Sequence, residues 1–178
     1  MECLPSPADA EAIVRVRSRR LPTETRKLAA SSGAVLAQQV RAERDQPPFD
    51  RVTMDGIVIA SSAYQSGRRC YRIAGTQPAG HEPLTLTDPD DCIEVMTGAE
   101  LPRGSDCIIP LEFFNVIEGR AEIGPDAFVG PGRNVHPRAS DSRKDDILLE
   151  PGTGLGPPEI AAIASAGLAN VEVRSEPR

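Results

Sequence analysis

Frequent chain breakers are what most limit the folds open to this sequence. Seventeen prolines and fifteen glycines are spread through 178 residues. Proline fixes its own φ and removes a backbone donor, and glycine opens conformations closed to other residues. A chain interrupted this often favours short elements joined by tight turns over long helices. Aromatics make up only 3% of the sequence and tryptophan is absent, so the core must be built from Val, Ile, Leu and Ala. Apolar residues, at 39%, suffice for one ordinary domain or two small ones, with little surplus.

Ser6, Pro7 and Asp9 spell a helix start: a hydroxyl cap, proline in the first turn, then an acid near the positive end of the dipole. Ala12, Ile13 and Val16 follow at helical spacing and give this helix one apolar face. Leu21-Pro22 ends it. Residues 29–33 read as a short helical turn closed by Gly33, and 35–40 as a strand. Residues 45–50, with adjacent prolines at 47 and 48, read as a stiff extended linker and a boundary. Short β segments follow at 56–60, 69–73, 92–96, 107–111, 113–117 and 120–123, separated by turn residues at the spacing of an all-β unit. The pattern runs to about Arg138. A strand at 147–149 comes next. Pro157-Pro158-Glu159 then opens a helix with Ile160 and Ile163 on one face and Gly167 closing it. Val171 and Val173 begin a last strand. The expected fold class is α+β, mostly β. A discontinuous outer α/β domain (1–45 and 146–178) surrounds an inserted small β-barrel-like domain (46–145).

The net charge is −6 and the isoelectric point about 5.0, which argues against a nucleic-acid groove with its basic stripe. The local cluster Arg15, Arg17, Arg19 and Arg20 reads as a solvated helix face. Cys3, Cys70, Cys92 and Cys107 include no CxxC pair, and His81 and His136 are far apart in the chain. A structural zinc site is therefore not expected, and free thiols in a reducing cytoplasm are the simplest account. No apolar run approaches the roughly 18 residues of a membrane helix, and no secretory leader pattern is present. A soluble, cytoplasmic protein is the expectation.

Three segments hold groups able to do chemistry. Residues 47–56 place Asp50 and Asp55 around a turn, with Gly56 allowing a tight or left-handed backbone behind the second acid. A carboxylate on such a corner can hold a hard cation or polarise water. Residues 95–102 run a strand into Thr97-Gly98-Ala99, where exposed amides and a hydroxyl would make an oxyanion nest; an ordinary hairpin turn reads equally well. Residues 130–141 gather Arg133, His136, Arg138 and Asp141 in a loop rich in Gly and Pro, where arginine forks suit oxyanions; a solvated loop remains open. No dinucleotide or Walker glycine loop and no nucleophile elbow is present.

Taken together and in order, these segments resemble the molybdopterin molybdenumtransferase family (MoeA-type proteins and the E domain of gephyrin). The likeness lies in Pro-Pro-Phe-Asp, three residues, then Met-Asp-Gly at 47–56; in the Ile-x-x-Met-Thr-Gly-Ala-x-x-Pro stretch at 93–102; and in Gly-x-Asn followed by basic residues and an acid at 132–141. It extends over about residues 5–178. The family inserts molybdenum from molybdate into adenylylated molybdopterin, with Mg²⁺ assisting and AMP released. The resemblance implies a homodimer whose composite active site lies between these front domains and the partner's third domain. A molybdopterin adenylyltransferase would act upstream. It also implies that this chain carries only the first two domains, so that residues 1–178 alone have no turnover.

Carried over residue by residue, the resemblance makes Asp55, Thr97 and Asp141 the candidate catalytic residues, with Asp55 and Asp141 as Mg²⁺ ligands. Gly98, Arg51, Arg133, His136 and Arg138 are the candidate substrate- or anion-binding residues. The sequence departs from the family pattern at several of these places. Arg51-Val52-Thr53 stands where Asn-Ser-Ala is usual, His136-Pro137 replaces two arginines, and Ala139-Ser140 replaces Gly-Glu. Two other readings stay open at this point. One is a non-catalytic binding and dimerisation module of the same family. The other is an unrelated acid-dependent hydrolase using Asp50 and Asp55.

Overall fold

The computed structural model describes residues 6–176, and the chain divides into two compact units. One joins the chain through Glu43 to the chain from Asp146 onward, and the other is the continuous stretch Arg44–Asp145. The first unit opens with α1 (Pro7–Arg17), β1 (Thr23–Lys27), a 3-10 turn at Leu28–Ala30, and β2 (Val40–Arg41). The second unit begins with β3 (Arg51–Val52), β4 (Gly56–Ile59), α2 (Ser61–Gln65), β5 (Cys70–Gln77) and β6 (Asp91–Val95). It continues through β7 (Cys107–Pro110), a 3-10 turn at Leu111–Phe113, β8 (Phe114–Ile117), β9 (Arg120–Ile123) and β10 (Val135–His136). The first unit is completed by β11 (Ile147–Leu149), α3 (Pro157–Ser165) and β12 (Asn170–Arg174). The architecture is mostly β with few helices. Among the described residues, no helix is long and apolar enough to cross a membrane.

In the first unit, α1 starts on a reciprocal cap. Ser6 Oγ accepts from the Asp9 N–H, and the Ser6 N–H donates to the Asp9 carboxylate, both at 3.2 Å, so two otherwise orphan donors are satisfied. The helix stops at Arg17, ahead of the Leu21-Pro22 signal. Its expected apolar face is not packed: no α1 residue is buried, and Val16 is 87% exposed. At α3 the Glu159 carboxylate accepts from the Gly156 N–H at 3.0 Å, and Gly167 ends the segment at φ 81°, the left-handed geometry that spares glycine a Cβ clash. Ile163 and the half-buried Ile160 pack with Leu28, Leu36, Val40, Leu155, Val171 and Val173 to form this unit's core. β1 pairs antiparallel with β12, and β2 with β11.

Two expectations change in this unit. The Thr-Glu-Thr-Arg-Lys run of β1 has no apolar alternation to mark a strand; it exists through its ladder with β12. Residues 35–40 were expected to be a strand. Val35 and Leu36 make only isolated bridges there, and regular pairing begins at Val40. Leu36 and Val40 are core residues all the same, so their apolar character reports burial and not ladder geometry.

The second unit is built on a curled, half-barrel sheet of six strands in the order β7-β4-β6-β5-β9-β8. Every neighbouring pair is antiparallel except β5 and β6, which run parallel. All four residues of β4 are buried. Side chains alternate across a strand, so Ile57 and Ile59 join one apolar cluster with Tyr71, Cys107 and Ile109. Val58 joins the other with Val52, Ile93, Val95 and Ile108. Strands β4, β6 and β7 are buried along almost their whole length, so much of the polar chemistry near them lies at strand ends and in the connecting turns. Residues 45–50, expected to be an extended linker, are instead tied down: Gln46 bridges Ser142, and the Leu101 N–H donates to the Asp50 carbonyl at 2.8 Å.

Candidate functional site

The turn that enters β4 carries Asp55, and the reason for the glycine after it is local. A Cβ on Gly56 would meet the Ile109 carbonyl oxygen at 2.0 Å, because β7 runs directly alongside in register. Gly56 does not take a positive φ, so close backbone approach, and not the left-handed turn expected from Asp-Gly, demands it. The Asp55 carbonyl accepts from the Leu111 N–H at 3.2 Å. Thr53 Oγ1 donates to the Asn134 carbonyl at 2.5 Å. The corner is held on both sides.

Asp55 Oδ1 accepts two hydrogen bonds from one residue, the N–H and the hydroxyl of Thr97, each 2.7 Å long. The Thr97 amide first and its hydroxyl second hold the carboxyl below the usual carboxylate range, with desolvation opposing them. Asp55 is therefore a fixed anion at neutral pH. It lines a cavity of about 220 Å³ together with Thr76, Glu94, Met96 and Leu111. Glu94 was not singled out from the sequence, nor was Thr76. They face each other across the parallel β5–β6 pair, where Thr76 Oγ1 donates to Glu94 Oε2 at 2.9 Å. An acid interrupting the apolar run Cys92-Ile93-x-Val95 is the signal that marks this position.

The expected amide nest at 97–99 needs correction. The Thr97 N–H goes to Asp55, the Gly98 N–H to the Val52 carbonyl at 2.9 Å, and the Ala99 N–H to the Met96 carbonyl at 3.0 Å. Each donor is already used within the protein, and Gly98 at φ 90° serves the turn. What Thr97 supplies is the anchoring of Asp55.

The remaining candidates divide into separate groups. Arg51 lies opposite His136 across β3 and β10; its terminal nitrogen sits 2.8 Å from His136 Nδ1, and His136 Nε2 sits 2.9 Å from Asp141 Oδ1. Arg138 is engaged structurally: its side chain pairs with Asp45 at 2.8 Å and its N–H donates to Asp50 Oδ1 at 2.8 Å. That leaves Asp50 committed to the loop and not to a shared water with Asp55. Arg133 stacks over Phe128 at 4.9 Å and lines a second cavity of about 200 Å³ with Met54, Phe113 and Asn134. Asp55 and Asp141 thus hold different partners, Thr97 and His136. Among the described residues, no group of three or more His, Cys, Asp or Glu is placed to hold a metal ion.

A family model described as the MoeA N-terminal region (domain I and II) matches residues 6–167. A molybdopterin molybdenumtransferase of Synechocystis is 39% identical over 173 residues, covering 97% of this chain and 44% of its own length. One from Staphylococcus aureus is 27% identical over 173 residues, covering 94% of this chain and 41% of its own length. A solved structure of a molybdopterin biosynthesis MoeA protein from Pyrococcus horikoshii aligns with a TM-score of 0.79 at 28% identity, over 88% of this chain and 42% of that one. The chain spans less than half the length of each of these relatives.

Proposed function

This chain belongs to the family of MoeA N-terminal regions, and from that we propose that it supplies one wall of a site where molybdenum from molybdate is inserted into adenylylated molybdopterin with release of AMP. The observation that carries the proposal is the Asp55–Thr97 corner. It presents an ionised carboxylate, held by two donors from one residue, in the lining of a cavity beside Thr76 and Glu94. A carboxyl held below its usual range is a poor general base and a good ligand. Asp55 therefore binds and orients; it does not attack.

Mg²⁺ is bound through one or two carboxylates and keeps several waters, and the acids here fit such a sparse donor set. Asp55 would hold it, with Asp141 as the second carboxylate that the resemblance implies. The bound cation would offset phosphate charge beside the reacting oxygens. Arg133 is the guanidinium best suited to an oxyanion, with Arg51 able to offer only the donors not used at His136, since Arg138 is taken by Asp45. The proposal includes a cytoplasmic homodimer whose site is completed by the partner's third domain, an adenylyltransferase upstream that supplies the adenylylated pterin, and no turnover by residues 1–178 alone.

The test joins residues 1–178 to the remaining part of the Synechocystis relative and follows molybdenum insertion. Asp55→Ala is expected to lower the rate on the order of 100-fold or more with the circular dichroism spectrum unchanged. Near wild-type insertion by that variant would overturn the proposal and favour a binding and dimerisation module.

A further inference from the structure

We infer that His136 is a positioning residue for Asp141, and that Arg51 selects the ring tautomer in which it does so. The role deepens the reading of Asp141 as a site acid and rests on it. The pairing of β3 with β10 sets Arg51 directly across from His136, and their side chains meet at 2.8 Å through His136 Nδ1. A guanidinium carries five N–H donors and no acceptor. Nδ1 must therefore accept, which places the ring proton on Nε2. That nitrogen lies 2.9 Å from Asp141 Oδ1 and becomes its donor.

The other tautomer turns both contacts repulsive: an N–H would face the guanidinium and a lone pair would face the carboxylate. A doubly protonated ring loses the Arg51 contact as well. The histidine is thus a one-way connector, and which nitrogen bears the proton is settled by the bond made at the other. Its surroundings suit a support. The His136 side chain is 27% exposed and the Asp141 side chain 57%, so the ring is held while the carboxylate is presented. Arg51 acts at one remove. It sets the direction of the ring's hydrogen bond, and through it the orientation of Asp141.

Long-range proton–nitrogen correlation spectra of the ¹⁵N-labelled chain read the tautomer directly, at about pH 8.5, above the ordinary histidine range. Only His81 and His136 are present, and a His81→Gln variant assigns the signals. His136 is expected in the Nε2–H form, and Arg51→Met is expected to turn it into a mixture of tautomers. At the same pH, His136→Ala is expected to shift the Asp141 side-chain carboxyl ¹³C resonance. His136→Gln, whose amide nitrogen can stand in for Nε2, is expected to restore it, while His136→Asn is not. An Nδ1–H ring in the unmodified chain, a tautomer indifferent to Arg51→Met, or an Asp141 resonance unmoved by His136→Ala would each overturn the inference. These spectra involve neither molybdate nor pterin. No insertion by the unmodified joined protein, with the spectra as expected, would count against the proposed function alone.

Discussion

The Ile109 carbonyl oxygen occupies the space where a Gly56 side chain would begin, 2.0 Å from an ideal Cβ, with the Ile109 carbonyl carbon and Pro110 Cα at 2.9 and 3.0 Å. All three atoms are backbone, so nothing can rotate away, and a methyl group there forces β4 and β7 apart. Gly56→Ala is expected to destabilise the second unit by about 3 kcal/mol or more, at or beyond the upper end of ordinary overpacking. Gly130→Ala, where a Cβ meets nothing within 4 Å and φ is not positive, should stay within about 0.5 kcal/mol. Urea unfolding midpoints compare the two, and equal losses would show that the contact is not the cause.

Asp55 should titrate below the ordinary aspartate value of about 3.9. Its depressed pKa means that the Thr97 hydrogen bonds stabilise the fold fully above that ordinary value and lose their contribution as pH falls through the lower, folded value. The amide is the larger cause and the hydroxyl the smaller. Thr97→Val should therefore raise the Asp55 pKa only part of the way, as followed by carboxyl ¹³C shifts. A full return to the ordinary value would give the hydroxyl the leading role.

Arg72 and Asp91 face each other in the parallel β5–β6 pair and are joined by two contacts of 2.8 Å. The Asp91 side chain is only 9% exposed, so removing the guanidinium strands a carboxylate that water barely reaches. Arg72→Met is expected to cost about 1–3 kcal/mol at neutral pH. Arg72 holds the Asp91 carboxyl below its usual range, so the advantage of the unmodified chain should shrink as pH falls below about 3.9 and through the depressed value. Denaturant midpoints at neutral and strongly acidic pH check both the size and the sign.

Thiol reactivity should single out Cys70. Cys92 and Cys107 are fully buried. Burial pushes the Cys92 thiol up to about 12 and raises Cys107 in the same direction, which suppresses the reactive thiolate. Cys70 is exposed, with the Arg120 Nε–H directed at its sulfur from 3.2 Å. In a Cys3→Ser background, one equivalent of a thiol reagent should react in the native state and two more only after unfolding. Fast labelling of three thiols without denaturant would contradict the burial.

Elements that announce themselves through local chemistry could be read from the sequence. The Ser6-Pro7-Asp9 start forms the cap its residues predict, Pro157-Pro158-Glu159 opens a helix, and the apolar β segments between 56 and 123 supply strands of the six-stranded sheet. Elements defined by a distant partner could not. β1 has no apolar pattern and depends on β12 for its ladder. The five-residue α2 is capped from far along the chain, where Asp106 accepts from the Ser61 N–H and hydroxyl. The same limit applied at the candidate site. In the sequence Arg51 and His136 are two unrelated departures from the family pattern; only the β3–β10 register makes them one contact, 85 residues apart. Glu94 leaves only the local trace of an acid inside an apolar run, and Thr76 becomes its partner only through the parallel β5–β6 register.

Asp45 accepts from the Lys144 N–H through one oxygen, at 2.9 Å, and from Arg138 through the other. With the Gln46–Ser142 bridge beside it, this carboxylate laces together the first and last residues of the Arg44–Asp145 stretch. The backbone of the first unit is therefore interrupted as though by a tight hairpin, and residues gained or shed inside the lacing add little to the entropy of closing that interruption. A fold threaded this way can keep one half of its architecture unchanged while the other half drifts, because all that passes between them in the backbone is a pair of neighbouring ends.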